Sequence, residues 1–314
     1  MTKCSVKRAC KPRRKPSHKI GLKYSGIKPV TRLRYERSIS NFFYHLSSLD
    51  IDLAGSWSDL DKQVANYIDH LFLEGEPVGY AGDLLSGLSR FVPGSRLRMP
   101  TARLWFRNWQ REIVRKRALP IPCFVVKGMA GMALAFNRRD LAVLLPLGFA
   151  CMLRTGELLG MQKRDIAFNP KMTSAVICLP QTKTSGPNTE EVVLRDPLLV
   201  RALFALVKNL RPGDTLYERH GARLGDDLHW LGKLVGFSHK RFTPYSLRRG
   251  GATWHFHAFG SLAKTASIGR WKHESTAKIY IDGAAAEWAA WQFAPEAQAV
   301  LERSKAAFKK AFPA

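Results

Sequence analysis

The stretch from Pro244 to Ile281, PYSLRRGGATWHFHAFGSLAKTASIGRWKHESTAKIYI, is the part of the chain on which its reading turns. It holds a tandem arginine pair (Arg248, Arg249), a glycine pair (Gly250, Gly251), Trp271 in a polar setting, and Tyr280 nine residues after that tryptophan. Chemistry at a phosphate needs cations that hold its oxygens and a positioned nucleophile. Arg248 and Tyr280 can be those two parts if a second arginine and a proton donor lie upstream.

The composition supports a phosphate-rich partner. Fifty Lys and Arg stand against 25 Asp and Glu, a formal net charge of +25 over 314 residues. Charge of that size calls for a polyanion, nucleic acid before a membrane surface. The longest apolar run, Leu141 to Leu153, is too short to cross a bilayer and contains Pro146. The N-terminal cations are followed by no apolar core, so no signal peptide is expected. Five scattered cysteines without a CxxC pair argue for a reducing compartment, and against a disulfide framework or a zinc knuckle. No Walker loop or cofactor motif is present, and neither a metal nor a cofactor is expected. His255 and His257 make a poor metal pair, because residues two apart diverge on a helix.

Upstream, Leu153-Arg154-Thr155-Gly156-Glu157-Leu158-Leu159 follows the long apolar run. An arginine emerging from such a run is costly unless it is paired or binds an anion. A helix over 140–160 would put Glu157 on the face of Arg154, leaving a structural ion pair and an anion clamp both open. Two β-branched runs, Ser174 to Leu179 and Glu191 to Leu194, flank Gly186-Pro187-Asn188 and predict a hairpin. Lys183 lies towards its tip. Helices are expected over 124–136, 197–210 and 225–235, with Tyr217 packing rather than reacting.

Residues 1–30 hold ten Lys or Arg and no acid, the pattern of a solvated basic tail. Within it, Lys11-Pro12-Arg13-Arg14-Lys15 suits a nuclear address or a phosphate-gripping arm. Residues 31–117 read as four helices. Arg32 to Leu49 presents residues 39, 42, 43, 46 and 49 on one face. Ser58 with Asp61 three residues on resembles a capping box, Gly75 and Pro77 end that helix, and a third runs over 80–92. The fourth, from Thr101 to about Lys116, offers Leu104, Trp105, Trp109 and Ile113 as its apolar face. Arg103, Arg107, Arg111 and Arg115 recur every four residues as a cationic ridge, either a solvated face or a seat for a phosphate backbone. Residues 118–122, with two prolines in three positions, predict an extended linker.

These blocks, in order, resemble the tyrosine recombinases (phage-integrase-type site-specific recombinases). LRTGELLGMQKRDI (153–166) is similar to the family's first-arginine box, and PYSLRRGGAT (244–253) to the second. Lys183 falls where the family has its catalytic lysine, Trp271 at the third box and Tyr280 at the nucleophile. Two positions depart from the pattern: Tyr245 stands where the second box usually begins with His, and Trp271 where His is commoner. A tryptophan donates a hydrogen bond but cannot shuttle a proton, and tyrosine is a poor base at neutral pH.

The resemblance implies a mainly α fold with a small antiparallel β-sheet or hairpin in the catalytic domain. It implies a two-domain, C-shaped clamp on double-stranded DNA: a helical core-binding domain over 31–117 and a catalytic domain over 123–282. It further implies attack by Tyr280 on a backbone phosphate, a guanidinium clamp from Arg154 and Arg248, Lys183 as proton donor, and supporting roles for Glu157, Trp271 and Tyr245. Arg249 joins the arginines of the fourth helix as an expected DNA contact. The family assembles as a tetramer on two DNA sites. Residues 283–314 are therefore expected either to dock on a neighbouring subunit or to pack on their own. The compartment would be the nucleus of a eukaryote, or the cytoplasm and nucleoid of a bacterium. A DNA-binding relative that no longer cuts, and a type IB topoisomerase or telomere resolvase, are the alternatives.

Overall fold

The apolar spacing of residues 29–112 produces four helices, with boundaries set by their caps. α1 spans Pro29–Ser48, α2 Trp57–Leu73, α3 Gly79–Phe91 and α4 Pro100–Glu112. The computed structural model describes residues 26–53, 55–113, 117–179, 190–217, 219, 223–235, 242–291 and 293–313. The chain divides after Lys116 into two compact units. The basic tail through residue 25 lies outside the described residues.

In the first unit α1 packs on α3 and α2 on α4. Phe42, Leu46, Val64, Ile68, Leu84, Leu88, Met99 and Trp109 form its core. Several sequence expectations are corrected here. Phe43 of α1, Leu49 just past its end, and Leu104 of α4 are exposed; Trp109 of α4 is buried as expected, together with Ala102. α2 begins two residues earlier than expected, because Ser56 rather than Ser58 is its cap, accepting the Asp59 N–H at 3.0 Å. Asp61 plays a different part: buried, it accepts the N–H groups of Thr101 and Ala102 at 3.0 and 2.9 Å. Those are orphan donors in the first turn of α4, so a carboxylate from α2 fixes where α4 starts.

The second unit contains α5 (Cys123–Ala135), α6 (Arg139–Ala150), α7 (Thr155–Gly160), β1 (Ile166–Phe168), β2 (Ala175–Cys178) and β3 (Glu191–Leu194). It continues with α8 (Pro197–Val207), α9 (Leu224–Leu234), α10 (Pro244–Phe259), α11 (Leu262–Gly269) and α12 (Glu274–Tyr280). The last two helices are α13 (Gly283–Trp291) and α14 (Pro295–Ala311). The strands form one antiparallel sheet in the order β1-β2-β3, with Val176 opposite Val193 and Ala167 opposite Val176. Alternation along β2 and β3 turns Ala175, Ile177, Val192 and Leu194 inward. The hairpin pairing matches the sequence reading, whereas β1 was not anticipated. The predicted turn, with Lys183, lies outside the described residues.

The helix expected over 140–160 is broken. α6 stops at Ala150, Met152 takes a left-handed conformation (φ +46°), and α7 starts afresh at Thr155. Residues 118–122 are extended, yet they are no free linker: Ile121 is buried, its N–H bonds the Ser246 carbonyl at 3.3 Å, and the Ala118 carbonyl takes a bond from Arg249. Tyr217 does pack, donating its hydroxyl to buried Asp227 at 2.6 Å.

α14 lies along α5 of its own chain, burying Leu301 and Phe308. Two glycines make this approach possible. A Cβ on Gly131 would sit 1.8 Å from the Ser304 carbonyl oxygen, and one on Gly128 2.3 Å from Leu301 Cδ2. Gly131→Leu is therefore expected to destabilise the unit by about 3 kcal/mol or more, since relief requires lifting backbone rather than turning a side chain. Urea midpoints check this against Gly156→Ala, where nothing lies within 4 Å of the added carbon. An unshifted midpoint for Gly131→Leu would contradict the close packing.

Candidate active site

The site is assembled around α10. Thr243 and Ser246 cap its start, the Thr243 N–H reaching Ser246 Oγ at 3.0 Å. Gly250 and Gly251 then let the helix press against two backbones: added Cβ atoms would fall 2.2 Å from the Ile121 carbonyl oxygen and 2.1 Å from that of Phe149. This contact draws Arg248 inside, leaving it 1% exposed. Its guanidinium donates to the Met152 carbonyl and, at 2.7 Å, to the Gly269 carbonyl. The turn that ends α6 thus supplies an acceptor for α10.

That turn also aims Arg154. The residue is the N-cap of α7, with extended backbone, and Glu157 closes the cap by accepting the Arg154 N–H at 2.8 Å. Arg154 Nη1 reaches the other Glu157 oxygen at 2.5 Å and Glu190 Oε2 at 3.5 Å. The expected pairing of Arg154 with Glu157 exists, but through a capping geometry rather than along one helix face. Burial works against the Arg154 cation, yet Glu157 and Glu190 together hold its pKa above the usual arginine value.

Two members of the cluster were not foreseen. Arg270 donates to Glu157 Oε2 at 2.6 Å, Glu190 Oε2 at 3.2 Å and the Cys151 carbonyl at 3.1 Å. It sits in the left-handed region at the end of α11 (φ +56°), a conformation that costs a non-glycine residue about 1–2 kcal/mol. Its ion pairs and carbonyl contacts offset that strain. Glu190 immediately precedes β3. The signal for Arg270 was its place between Gly269 and Trp271; Glu190 carries no local signal.

Two guanidiniums, those of Arg154 and Arg270, thus share two carboxylates, those of Glu157 and Glu190, with a third guanidinium, Arg248, close by. Arg248 is left without a carboxylate among the described residues, and its buried Nε has no hydrogen-bond partner. Burial first, and then the charges of Arg154 and Arg270, lower its pKa to about 10. At neutral pH it keeps its proton, so the cluster holds a buried cation in need of an anion.

Aromatic rings cover that cation. Trp271 folds back over Gly269, where a Cβ would meet its ring at 1.9 Å, and the Arg248 guanidinium carbon lies 4.6 Å from the ring centroid. The Tyr280 ring is 4.5 Å from Trp271 and 5.4 Å from the same guanidinium carbon. Tyr280 ends α12, and its hydroxyl accepts a hydrogen bond from the hydroxyl of Tyr245 on α10. Burial and then that bond raise the pKa of Tyr245 to about 12. Around the Tyr280 backbone, Thr253 Oγ1 donates to the Tyr280 carbonyl at 3.3 Å and accepts the Asp282 N–H at 3.1 Å.

Arg154, Glu157, Arg248, Tyr245, Trp271 and Tyr280 therefore come together from segments spread over more than a hundred residues. Arg249, expected as a DNA contact, points elsewhere. It is buried, bonded to the Ala118 carbonyl at 2.7 Å and Asp282 at 3.1 Å, because the glycine pair beside it seats α10 against the chain. His255 is also buried, its Nδ1 2.9 Å from Thr265 Oγ1. Among the described residues no group of three or more His, Cys, Asp or Glu is arranged to hold a metal.

In the first unit three of the four ridge arginines, Arg103, Arg107 and Arg111, lie on α4. α4 ends at Glu112, and Arg115 lies outside the described residues. Arg103 spends its guanidinium on the Arg96 carbonyl at 2.9 Å and Ser89 Oγ at 2.7 Å. Arg107 and Arg111 remain exposed.

Solved structures share this architecture. The Tn1549 transposon integrase in complex with circular intermediate DNA matches at a TM-score of 0.60 and 14% identity, over 86% of this chain and 95% of that one. The same integrase on transposon right-end DNA matches at 0.54 and 12%, over 85% and 95%. A lambda integrase dimer bound to a COC′ core site matches at 0.58 and 17%, over 83% and 74%. No protein-family profile matches the sequence, and no curated protein does. The likeness is one of fold: mainly helical, with a small three-stranded antiparallel sheet.

Proposed function

We propose that this chain, which has the fold of the tyrosine recombinases, cuts and rejoins DNA strands at specific sites through a covalent 3′-phosphotyrosyl intermediate. The observation that carries the reading is the buried guanidinium of Arg248, bonded to no carboxylate among the described residues, beneath the ring of Tyr280. A nucleophilic hydroxyl beside an unneutralised cation suits a phosphodiester, whose two non-bridging oxygens match planar guanidinium forks.

In this reading the Tyr280 oxygen attacks phosphorus, its proton passing to water, and the P–O5′ bond breaks as the Tyr280–phosphorus bond forms. Lys183, in the role the resemblance gives it, protonates the departing 5′ oxygen. Arg154 and Arg248 hold the charge that builds on the non-bridging oxygens. Attack by a 5′-hydroxyl of another strand then releases Tyr280. The phosphodiester energy is kept in the covalent link, so the reaction needs no nucleotide. The helical unit, through the exposed Arg107 and Arg111, is assigned to the phosphate backbone. Assembly as a tetramer on two sites belongs to the same proposal.

A second reading, a relative that binds DNA without cutting it, draws on Tyr245 in place of histidine. Incubation with a pool of nicked suicide DNA, followed by denaturing electrophoresis and sequencing of captured strands, separates the two. The proposal expects a covalent adduct enriched in one sequence; binding without adduct would leave the second reading. A two-site recombination assay then distinguishes a recombinase from an enzyme that only relaxes or seals DNA.

A further inference from the structure

Tyr245 occupies the position at which the resemblance calls for histidine, yet its hydroxyl is directed at the Tyr280 hydroxyl. We propose that Tyr245 is a further catalytic residue, a hydrogen-bond donor that fixes the Tyr280 oxygen and stabilises the negative charge on it. That oxygen carries charge twice, as nucleophile in cleavage and as leaving group in rejoining. The inference rests on the proposed role of Tyr280.

The geometry follows from α10. Tyr245 precedes Arg248 by three residues, so both side chains leave neighbouring positions on one helical face. Arg248 is drawn under the Tyr280 ring, and Tyr245 is brought to its edge, with ring centroids 5.5 Å apart at an interplanar angle of 43°. A histidine acting as base would take the Tyr280 proton. Tyr245 cannot do this at neutral pH, since burial and its contact with Tyr280 keep it protonated. It can only donate.

Between two neutral hydroxyls this bond is an ordinary one. Once Tyr280 ionises, the bond becomes charge-assisted, and its strength roughly doubles. A donor that binds the charged form better than the neutral form favours ionisation. Among the described residues the charged groups near the pair include Arg248 and Arg249 on α10 and Asp282 just beyond α12; the two arginines donate to backbone carbonyls and Asp282, not to the Tyr280 oxygen. Tyr245 is 42% exposed, which lets a phenylalanine stand there without a cavity or a buried orphan.

The test uses the full chain with 13Cζ-labelled tyrosine. Tyr280 is one of eight tyrosines, and its resonance is the one missing from Tyr280→Phe. In Tyr245→Phe the pH at which this resonance titrates is expected to rise by about one unit. Single-turnover cleavage and rejoining at neutral pH should both slow about tenfold, the rising limb of the pH profile should move up in parallel, and DNA affinity should stay unchanged. A Tyr280 titration identical in wild type and Tyr245→Phe overturns the proposal, as does a shifted titration with cleavage at the wild-type rate. The titration is read without DNA. Failure of the wild type to form any adduct would therefore strike the proposed function, and can be told apart from failure of the donor contact.

Discussion

Tyr280→Phe is expected to abolish covalent capture of nicked DNA, a loss of about 10⁴-fold or more, while DNA affinity stays at the wild-type level. The substitution removes one oxygen and keeps the ring. The ring contact with Trp271 at 4.5 Å and the position above the Arg248 guanidinium therefore persist. Tyr245 loses a hydrogen-bond partner, but its exposure lets water replace it, so stability should change by no more than about 1 kcal/mol. Binding and cutting separate because the cations that meet phosphate are untouched. Gel shift with intact duplex measures the first, and denaturing electrophoresis after incubation with a nicked suicide substrate measures the second. Capture undiminished in this variant would remove Tyr280 from the nucleophile's role and direct attention to the neighbouring hydroxyl of Tyr245.

The parts of this site that the sequence reveals are those whose partners are close in the chain or whose chemistry needs an unusual residue. Arg248, the glycine pair, Trp271 and Tyr280 lie within one stretch, and the glycines mark where helix α10 must touch backbone. Arg154 stands out because it ends an apolar run. Other parts depend on where distant segments meet. Nothing local distinguishes Arg248 from Arg249, since neighbours on a helix point in different directions and only the packing of α10 decides which one reaches the cluster. Glu190 is the first of two consecutive acids, the second of which opens β3, and it matters because α11 ends with Arg270 beside it. Asp61 invites a local capping assignment, yet it caps a helix forty residues away. The break after α6 has neither glycine nor proline at Met152 to announce it. It is held by its hydrogen bonds: the Cys151 carbonyl accepts from Arg270, the Met152 carbonyl from Arg248 and Arg270, and the last carbonyls of α6 from the N–H groups of Cys151, Met152 and Leu153.

Glu157 joins this packing to the chemistry, and its removal is expected to damage both. The carboxylate is fully buried and binds the Arg154 N–H, the Arg154 guanidinium and the Arg270 guanidinium. Glu157→Ala would leave Arg154 and Arg270 to share Glu190 alone beside the Arg248 cation, and loss of one partner from a buried ionic cluster costs about 3–5 kcal/mol. For a unit of this size that is a fall of roughly 6–20 °C in melting temperature. Glu157→Gln should fall between, because its amide oxygen still accepts one donor while its NH2 group faces another. Cleavage should drop in the Gln variant at temperatures where it remains folded, since Arg154 loses the group that orients it. A melting temperature for Glu157→Ala within a degree or two of wild type would mean that the cluster contributes little. DNA offers a sharper separation. A ligand that binds only the folded state raises its melting temperature, and a phosphate entering the cluster would supply the negative charge that the Ala variant lacks. Target DNA is therefore expected to raise the melting temperature of Glu157→Ala by more than that of wild type. An equal rise in both would show that the DNA phosphates bind elsewhere on this cationic chain and do not reach Arg154 and Arg248.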